Sequence, residues 1–351
     1  MSPTDGEELA LLRSVFDGAL ARDRPAALDP DPHTAAALPP AWSHAVALGW
    51  PQIALPESLG GAGGSVAPLA ALAEATGRHA VSTPIVPAAL ARWALHRAGH
   101  EPPAADAVPV LCAVGDGAID VRARTVEGIA RRVPWARFAD LAVVYGAAGG
   151  AAPAALVDLT GAGIAVVPGA NLAGEPRDDV VLLGAPCVPL AGPSLEEAEA
   201  YAGLVVAAAT LGALQAARRA TREHATARSQ FDRPLARFQL VAAHLAQIGG
   251  LVEVAQVVVA DAVGAHDDGV RAAERSAIAK AWTARAAGEV AARAHQVHGA
   301  IGVTREHALH LWTRRLWAWR DEWGSETEWE RRLGRMAIEQ GPGAAWDLIT
   351  A

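Results

Sequence analysis

The sequence from residue 192 to 351 has the periodicity of long amphipathic helices. The segment GPSLEEAEA at 192–200 predicts a helix start, with Ser194 as the N-cap and Glu197 three residues later in a capping box. Beyond it, apolar side chains recur at helical offsets of three and four in two stripes. The stripes are Phe238, Val241, Leu245, Ile248 and Val252, and Leu309, Trp312, Leu316 and Trp319. Stripes of this length, joined by short breaks, predict an antiparallel helical bundle.

The part of the chain before this bundle contains two regions with different sequence patterns. Residues 1–106 contain helical segments that Pro and Gly residues interrupt. Residues 107–191 contain short β-prone runs such as FADLAVVYG and GIAVVPGA, separated by glycine-rich turns. The predicted fold is therefore mainly α with a small central β-domain: an N-terminal helical domain at 1–106, a β-domain at 107–191 and a helical bundle at 192–351.

Composition and charge exclude several classes of protein. The chain has no run of about 20 uninterrupted apolar residues and its first residues lack the pattern of a secretion signal, so we expect a cytoplasmic protein that does not enter a membrane. Cys112 and Cys187 lie in apolar surroundings and are interpreted as small core residues. The net charge of -8 and the lack of a basic tract make nucleic acid an unsuitable partner.

Four histidines near the end of the bundle raise the question of a metal site. His295, His298, His307 and His310 follow one another at spacings of three, nine and three. No cysteine or carboxylate pattern typical of a metal site accompanies them. The sequence therefore predicts no metal, and the histidines are interpreted as decorating a helix and its neighbouring turn.

Three motifs, in order along the chain, carry a resemblance to a known family. They are LGWPQIALPESLGGAGG at 48–64 followed by Glu74, RSQFDRPLARFQLVAAHLA at 228–246, and HQVHGAIGVTREHALHLWTRR at 295–315. Together with the order of the domains, they resemble the signature stretches of the acyl-CoA dehydrogenase family. The resemblance implies that the β-domain is a barrel and the last domain a four-helix bundle. It also implies FAD as cofactor, an acyl-CoA thioester as substrate undergoing α,β-dehydrogenation, and a tetramer of identical or paralogous chains.

Polar groups in the last two motifs suit a dinucleotide. The planar fork of Arg228 matches the oxygens of a pyrophosphate, and the amides of Gln239 and Gln296 both donate and accept hydrogen bonds. Gly299 and Gly302 lack Cβ atoms, so a ligand can approach the main chain there. The resemblance places these groups on an FAD that a neighbouring subunit mainly binds, although Ala300 stands where the family has a second glycine. The implied FAD contacts are Arg228, Phe231, Phe238, Gln239, Gln296, Gly299, Gly302, Trp135 and Ser325.

The family's catalytic base is missing from both of its usual positions. Most members carry a glutamate just before a Gly-Thr or Gly-Ser pair, but RDEWGSETEW at 320–329 places Trp323 there. Glu322 is one residue away, which on a helix means a rotation of roughly 100°. Other members carry the base on the first bundle helix, where this chain has Ala202, with Glu199 about one turn earlier. Glu322 is therefore the candidate catalytic residue, in an altered position.

The β-domain departs from the family on the flavin side. In place of the usual Thr-Glu-Pro-Gly loop, residues 108–121 offer only Gly115, Asp116 and Gly117, whereas residues 133–144 match and bring Trp135 as a ring neighbour. We therefore expect a complementary subunit that completes the FAD site of a partner supplying the base. The alternatives are a competent homo-oligomer that uses Glu322, a non-catalytic scaffold or binding protein of the same fold, and a flavin monooxygenase.

Overall fold

The computed structural model describes residues 3–24, 37–112, 119–122, 124–146, 154–339 and 341. The helices are α1 Pro3–Leu20, α2 Pro40–Ala47, α3 Val66–His79, α4 Ile85–Arg97, α5 Leu195–Ala227, α6 Gln239–Asp268, α7 Ala272–His298, α8 Leu309–Trp319 and α9 Glu326–Glu339. The strands are β1 Pro109–Cys112, β2 Asp120–Val121, β3 Thr125–Pro134, β4 Leu141–Tyr145, β5 Ala154–Asp158, β6 Ile164–Val167, β7 Arg177–Leu190, β8 Ser229–Gln230 and β9 Arg233–Pro234. A mainly α fold with a small central sheet is confirmed.

The chain forms two compact units. The first contains the described residues up to 72 together with those between 81 and 199, and the second contains residues 73–80 and the described residues from 200 onward. The first unit thus joins the N-terminal helices to the sheet, and the second is the helical bundle with the end of α3. The predicted division into three domains remains a prediction.

The sheet of the first unit is built around the long strand β7. Its strand order is β1-β4-β5-β7-β3-β2, with β6 also paired to β7. All pairs are antiparallel except β1 with β4, where Pro109 lies opposite Leu141. Helix α4 packs on β1 and β4, whose side chains are almost entirely buried. Because β7 pairs with β5 through one part and with β3 and β6 through the other, it holds the two halves of the sheet together.

The bundle of the second unit is closed by contacts between glycines and backbone. A Cβ atom on Gly212 of α5 would lie 1.8 Å from the carbonyl oxygen of Glu74, and one on Gly77 would lie 1.9 Å from the carbonyl oxygen of Ala209. The last turns of α3 and the middle of α5 therefore approach each other as closely as two backbones can. Helix α7 packs along α6 and also contacts α8 and α9.

Among the described residues, two helices are long and apolar enough to cross a membrane by length and composition alone, namely α5 and α6. The most apolar part of α5 is 94% buried inside the protein, as expected for a core helix, but that of α6 is only 28% buried. The exposed side chains on α6 include Leu240, Val254 and Val257. Helix α6 therefore presents an apolar face that no residue in the described part of the chain covers.

Candidate functional site

In the first unit, Trp135 sits at a fixed bend after strand β3. Its backbone is left-handed (φ 60°), its side chain is buried, and its ring lies 5.9 Å from that of Phe138. The bend is held by Asp178, which is fully buried and accepts hydrogen bonds from the backbone N–H and guanidinium of Arg137 and from the N–H of Gly169. The three residues predicted to replace the flavin-side loop lie outside the described residues: Gly115, Asp116 and Gly117.

In the second unit, a short hairpin follows α5 and exposes an aromatic side chain. Strands β8 and β9 are joined by Phe231 (φ 51°) and Asp232 (φ 62°), the backbone of a tight turn whose two central residues are left-handed. Phe231 is 86% exposed and meets Phe238 edge to face at 6.4 Å. The guanidinium of Arg233 lies 4.0 Å from the centre of the Phe238 ring. The hairpin is therefore anchored on Phe238 and presents Phe231 outward.

The predicted nucleotide-binding amides lie at one end of the α6–α7 pair. The Nε of Arg293 on α7 donates to Oε1 of Gln247 on α6 at 2.8 Å, which fixes the axial register of these antiparallel helices. With a rise of 1.5 Å per residue, Gln239 and Gln296 then differ by only about 8 Å along the bundle axis. Both amides are exposed, and neither side chain hydrogen-bonds another described residue.

Arg228 lies at the same end of the bundle. One turn before it, the ring of His224 stacks on that of His298 with centroids 4.4 Å apart, which joins the end of α5 to the end of α7. Gln296 comes two residues before His298. The guanidinium of Arg228 is exposed and, like the two amides, has no partner among the described residues. The three predicted polar groups therefore lie near the same end of the bundle.

The two glycines of the third motif have different environments. Gly299 has φ 65° and is exposed, with open space where a Cβ would be, so a ligand can approach its main chain. Gly302 is buried, and a Cβ there would lie 2.6 Å from Cβ of His298. The absence of a side chain at Gly302 therefore serves packing within the chain. Its neighbour Ala300 is exposed.

The segment between α8 and α9 is held by a buried lysine. Lys280 on α7 is 1% exposed, and its Nζ donates to the carbonyl oxygens of Trp319 at 3.3 Å, Arg320 at 2.7 Å and Gly324 at 3.0 Å. Burial lowers the pKa of Lys280 to about 8, against the opposing effect of the Glu322 carboxylate. The lysine is still protonated at neutral pH and closes the C-terminal end of α8.

Residues next to both positions at which the base was expected contact one tryptophan. The indole N–H of Trp329 donates to the carbonyl oxygen of Trp323 at 2.9 Å. A Cβ on Gly324 would lie 2.7 Å from Nε1 of Trp329, and one on Gly203 would lie 2.9 Å from its ring. Ala202, fully buried, is the residue before Gly203. Neither of the two positions offers an acidic group.

The remaining candidates of this segment have identifiable local roles. Glu322 is half-buried, and its carboxylate acts on the buried charge of Lys280. Ser325 begins α9 in a capping box: its N–H and hydroxyl both donate to the Glu328 carboxylate, at 2.6 and 2.7 Å. The hydroxyl predicted to contact FAD is thus engaged in holding the helix. Glu199, half-buried on α5, lies three residues before the Ala202 position.

Sequence reasoning missed two of the residues that hold this site together, namely Lys280 and His224. A signal existed for Lys280, which is a charge on an alanine-rich helix, AIAKAWTARAA. Such a charge requires a partner when it is buried. No comparable pattern marks His224, because its ring contacts are to residues distant in the sequence.

Comparisons with known proteins identify the family of this chain. Residues 6–114 match the family model "Acyl-CoA dehydrogenase, N-terminal domain", and residues 200–324 match "Acyl-CoA dehydrogenase, C-terminal domain". The acyl-CoA dehydrogenase IpdE2 of Mycobacterium tuberculosis is 29% identical over 76% of this chain and 77% of its own length. Among solved structures, a variant of the steroid ACAD Tcur3481-Tcur3483 superposes with a TM-score of 0.88 at 24% identity, covering 95% of this chain and 99% of that one. The ChsE4-ChsE5 complex from Mycobacterium tuberculosis gives a TM-score of 0.86 at 24% identity, covering 94% and 97%. The chain belongs to the acyl-CoA dehydrogenase family, a family of oxidoreductases.

Proposed function

We propose that this chain is a subunit of a heteromeric, FAD-dependent acyl-CoA dehydrogenase. It holds the adenosine diphosphate end of an FAD, while a paralogous partner supplies the base and the pocket for the flavin ring. One observation carries the proposal. The polar groups expected on the nucleotide are exposed and available, whereas the two positions for the base hold Ala202 and Trp323 in place of a glutamate.

The exposed end of the bundle fits the diphosphate and adenosine of an FAD. The Arg228 guanidinium can donate two parallel hydrogen bonds to phosphate oxygens, and the amides of Gln239 and Gln296 can donate and accept at once. None of these side chains would have to break a hydrogen bond to another described residue. Gly299 leaves its main chain accessible beside them. When bound, the flavin supplies the hydride acceptor of the reaction.

The segment that carries the base in most members serves a structural purpose in this chain. Its carbonyl groups are bound by Lys280 and Trp329, and Trp323 stands where the carboxylate would be. Glu322, one residue earlier, acts on the buried charge of Lys280, the residue that anchors this segment. We therefore assign removal of the α-proton to the partner chain.

The apolar face of α6 is where we place the partner. Leu240 is 78% exposed and Val257 67% exposed, and Phe231 projects from the hairpin before α6. Surfaces of this kind, next to a site that needs a second chain, are typical of subunit contacts. Two of the similar solved structures bear the names of two proteins each, ChsE4-ChsE5 and Tcur3481-Tcur3483. We propose a tetramer that contains both this chain and a paralogue.

The test is coexpression with a paralogous acyl-CoA dehydrogenase chain from the same gene neighbourhood. We expect the isolated chain to carry less than one flavin and to show no turnover. The complex should carry flavin whose visible absorption is bleached by an acyl-CoA, offered as straight-chain and steroid-side-chain thioesters. Arg228→Ala in this chain should lower the flavin content of the complex, whereas Arg314→Ala on the exposed side of α8 should not. A purified homo-oligomer with one FAD per chain and full turnover would exclude the proposal.

A second candidate is a competent homo-oligomer in which Glu322 is the base, and its half-buried position favours it over exposed Asp321. Glu322→Gln should then abolish bleaching by substrate while FAD stays bound, and Asp321→Asn should leave bleaching intact. If both variants behave like the parent chain in the complex, this candidate is wrong and the partner supplies the base.

A further inference from the structure

Three histidines from separate segments form a cluster inside the bundle. His224 lies near the end of α5, His298 is the last residue of α7, and His307 precedes α8. The potential ligand atoms of the three side chains all lie within 4.8 Å of one another. The ring of His298 stacks on His224 at 4.4 Å and meets His307 at 4.7 Å. The cluster was not expected from sequence, because His224 is distant from the histidine-rich stretch in the chain.

The tautomer of His298 leaves a nitrogen lone pair directed into the protein. Its Nδ1 lies 2.7 Å from the carbonyl oxygen of Ala294, and a carbonyl can only accept, so the proton is on Nδ1. Its Nε2 is therefore unprotonated. The side chain is 6% exposed, and Nε2 has no hydrogen-bond partner in the part of the chain that the structure describes. A buried, unpartnered acceptor costs free energy unless something binds it.

Burial disfavours the charged form of all three rings: it lowers the pKa of His298 to about 4 and lowers the pKa of His224 and His307. Arg228 brings a positive charge close to His224.

We infer that His224, His298 and His307 bind a divalent transition-metal ion of the kind that prefers nitrogen ligands, such as zinc. Three imidazoles without a carboxylate suit zinc, nickel or copper and do not suit calcium or magnesium, which require oxygen ligands. The positive charge of Arg228 opposes any cation, so only an ion that gains strongly from imidazole coordination can be bound. The hydrogen bond from His298 to the Ala294 carbonyl is the support that metal-binding histidines usually have.

Coordination requires a small rearrangement of the cluster. Tetrahedral zinc with Zn–N distances of about 2.0–2.1 Å brings ligand atoms to roughly 3.4 Å from one another, closer than the 4.8 Å limit of the cluster. His307 must also turn, because its Nδ1 now accepts a hydrogen bond from the N–H of Leu309 at 3.1 Å. That N–H lies in the first turn of α8, where water can replace the imidazole. A bound ion would tie the ends of α5 and α7 to the start of α8.

Zinc titration of the full-length, tag-free protein after dialysis against a chelator tests the inference. We expect one equivalent of zinc per chain in competition with a chromogenic chelator. Cobalt(II) in its place should give the intense visible absorption of tetrahedral coordination. His298→Gln, His307→Gln and His224→Gln should each weaken zinc binding by more than the roughly 10–100-fold that loss of a supporting hydrogen bond causes. Zinc should also raise the melting temperature of the parent chain.

The matched control is His44→Gln, because His44 is exposed, lies outside the cluster and binds Asp23. It should bind zinc like the parent chain. If zinc binds at less than one equivalent, or binds equally well to the control and to His307→Gln and His224→Gln, the metal site does not exist. Because all these measurements use the chain without FAD, their failure would leave the proposed function untouched.

Discussion

The indole nitrogen of Trp329 lies 2.9 Å from the carbonyl oxygen of Trp323, so the segment between α8 and α9 is fixed by the residue that follows it. Trp323 itself has a left-handed backbone (φ 56°), which is unfavourable for a large side chain and persists only where surrounding contacts impose it. One such contact is the hydrogen bond that Lys280 donates to the carbonyl oxygen of Gly324, the next residue. The base position is therefore a rigid structural element in this chain.

Replacing Gly324 should disrupt this element. Gly324 has φ 102°, and a Cβ would lie 2.7 Å from Nε1 of Trp329, so Gly324→Ala combines backbone strain with a clash against a buried ring. We expect a loss of about 2 kcal/mol or more in the free energy of unfolding, measured by urea denaturation. Gly334→Ala in α9 is the control: nothing lies within 4 Å of its added methyl, and helix propensity predicts a gain of up to about 1 kcal/mol.

Replacing Lys280 should be costly for a different reason. Lys280→Met removes the donor for the carbonyls of Trp319, Arg320 and Gly324 in a buried region, which we expect to cost about 1–3 kcal/mol in urea denaturation. Arg285 lies on the same helix but is exposed and pairs with carboxylates on α9. Arg285→Gln should cost less than about 1 kcal/mol. Equal effects of the two substitutions would show that burial of Lys280 does not determine its importance.

Local sequence patterns predicted those parts of the fold that depend on neighbouring residues. The capping box is confirmed, since Ser194 N–H donates to the Glu197 carboxylate at 2.8 Å and Glu197 N–H to the Ser194 hydroxyl at 3.2 Å. The α8 stripe is buried as predicted, from Leu309 to Trp319. The α6 stripe is fully buried only from Ile248 onward, whereas Phe238, Val241 and Leu245 before it are half-buried.

The candidate site could be predicted only in part. Motif spacing led to Arg228, Gln239 and Gln296, which do reach one end of the bundle because they are near helix ends whose order in the chain is known. It could not predict what fills the place of the base. That depends on the contact of Lys280 with a carbonyl group 40 residues further along the chain and on the local contact of Trp329 with Trp323.

The glycine contact between α3 and α5 should be among the most sensitive points of the bundle. A Cβ on Gly212 would lie 1.8 Å from the carbonyl oxygen of Glu74 and 2.7 Å from the backbone nitrogen of Arg78, so the helices would have to separate. We expect Gly212→Ala to cost about 3 kcal/mol or more, or to prevent folding. Gly264→Ala on α6 meets no atom within 4 Å and should not destabilise the protein. Thermal unfolding of both variants measures the difference.

A half-buried histidine should make the bundle sensitive to acid. His266 packs edge to face on Tyr201 at 5.5 Å, and its Nε2 lies 2.8 Å from the Ser276 hydroxyl. Burial lowers the pKa of His266 to about 4, only partly offset by Asp267. Between pH 6.5 and 4, His266 is therefore protonated in the unfolded chain but stays neutral in the folded chain. Because the unfolded state binds more protons, the free energy of unfolding falls as the pH falls. The contribution of His266 over this range is on the order of 3 kcal/mol.

The His266→Gln variant separates this effect from packing. At pH 8 His266 is neutral in both the folded and the unfolded chain, so the difference in unfolding free energy between parent and variant reports only the lost contacts with Tyr201 and Ser276. As the pH falls from 6.5 toward 4, only the parent loses the contribution of this site. The difference should therefore shrink on acidification, by at most about 1.4 kcal/mol per pH unit. A difference that stays constant from pH 8 to pH 4.5 would show that His266 is protonated in the folded protein as readily as in the unfolded chain.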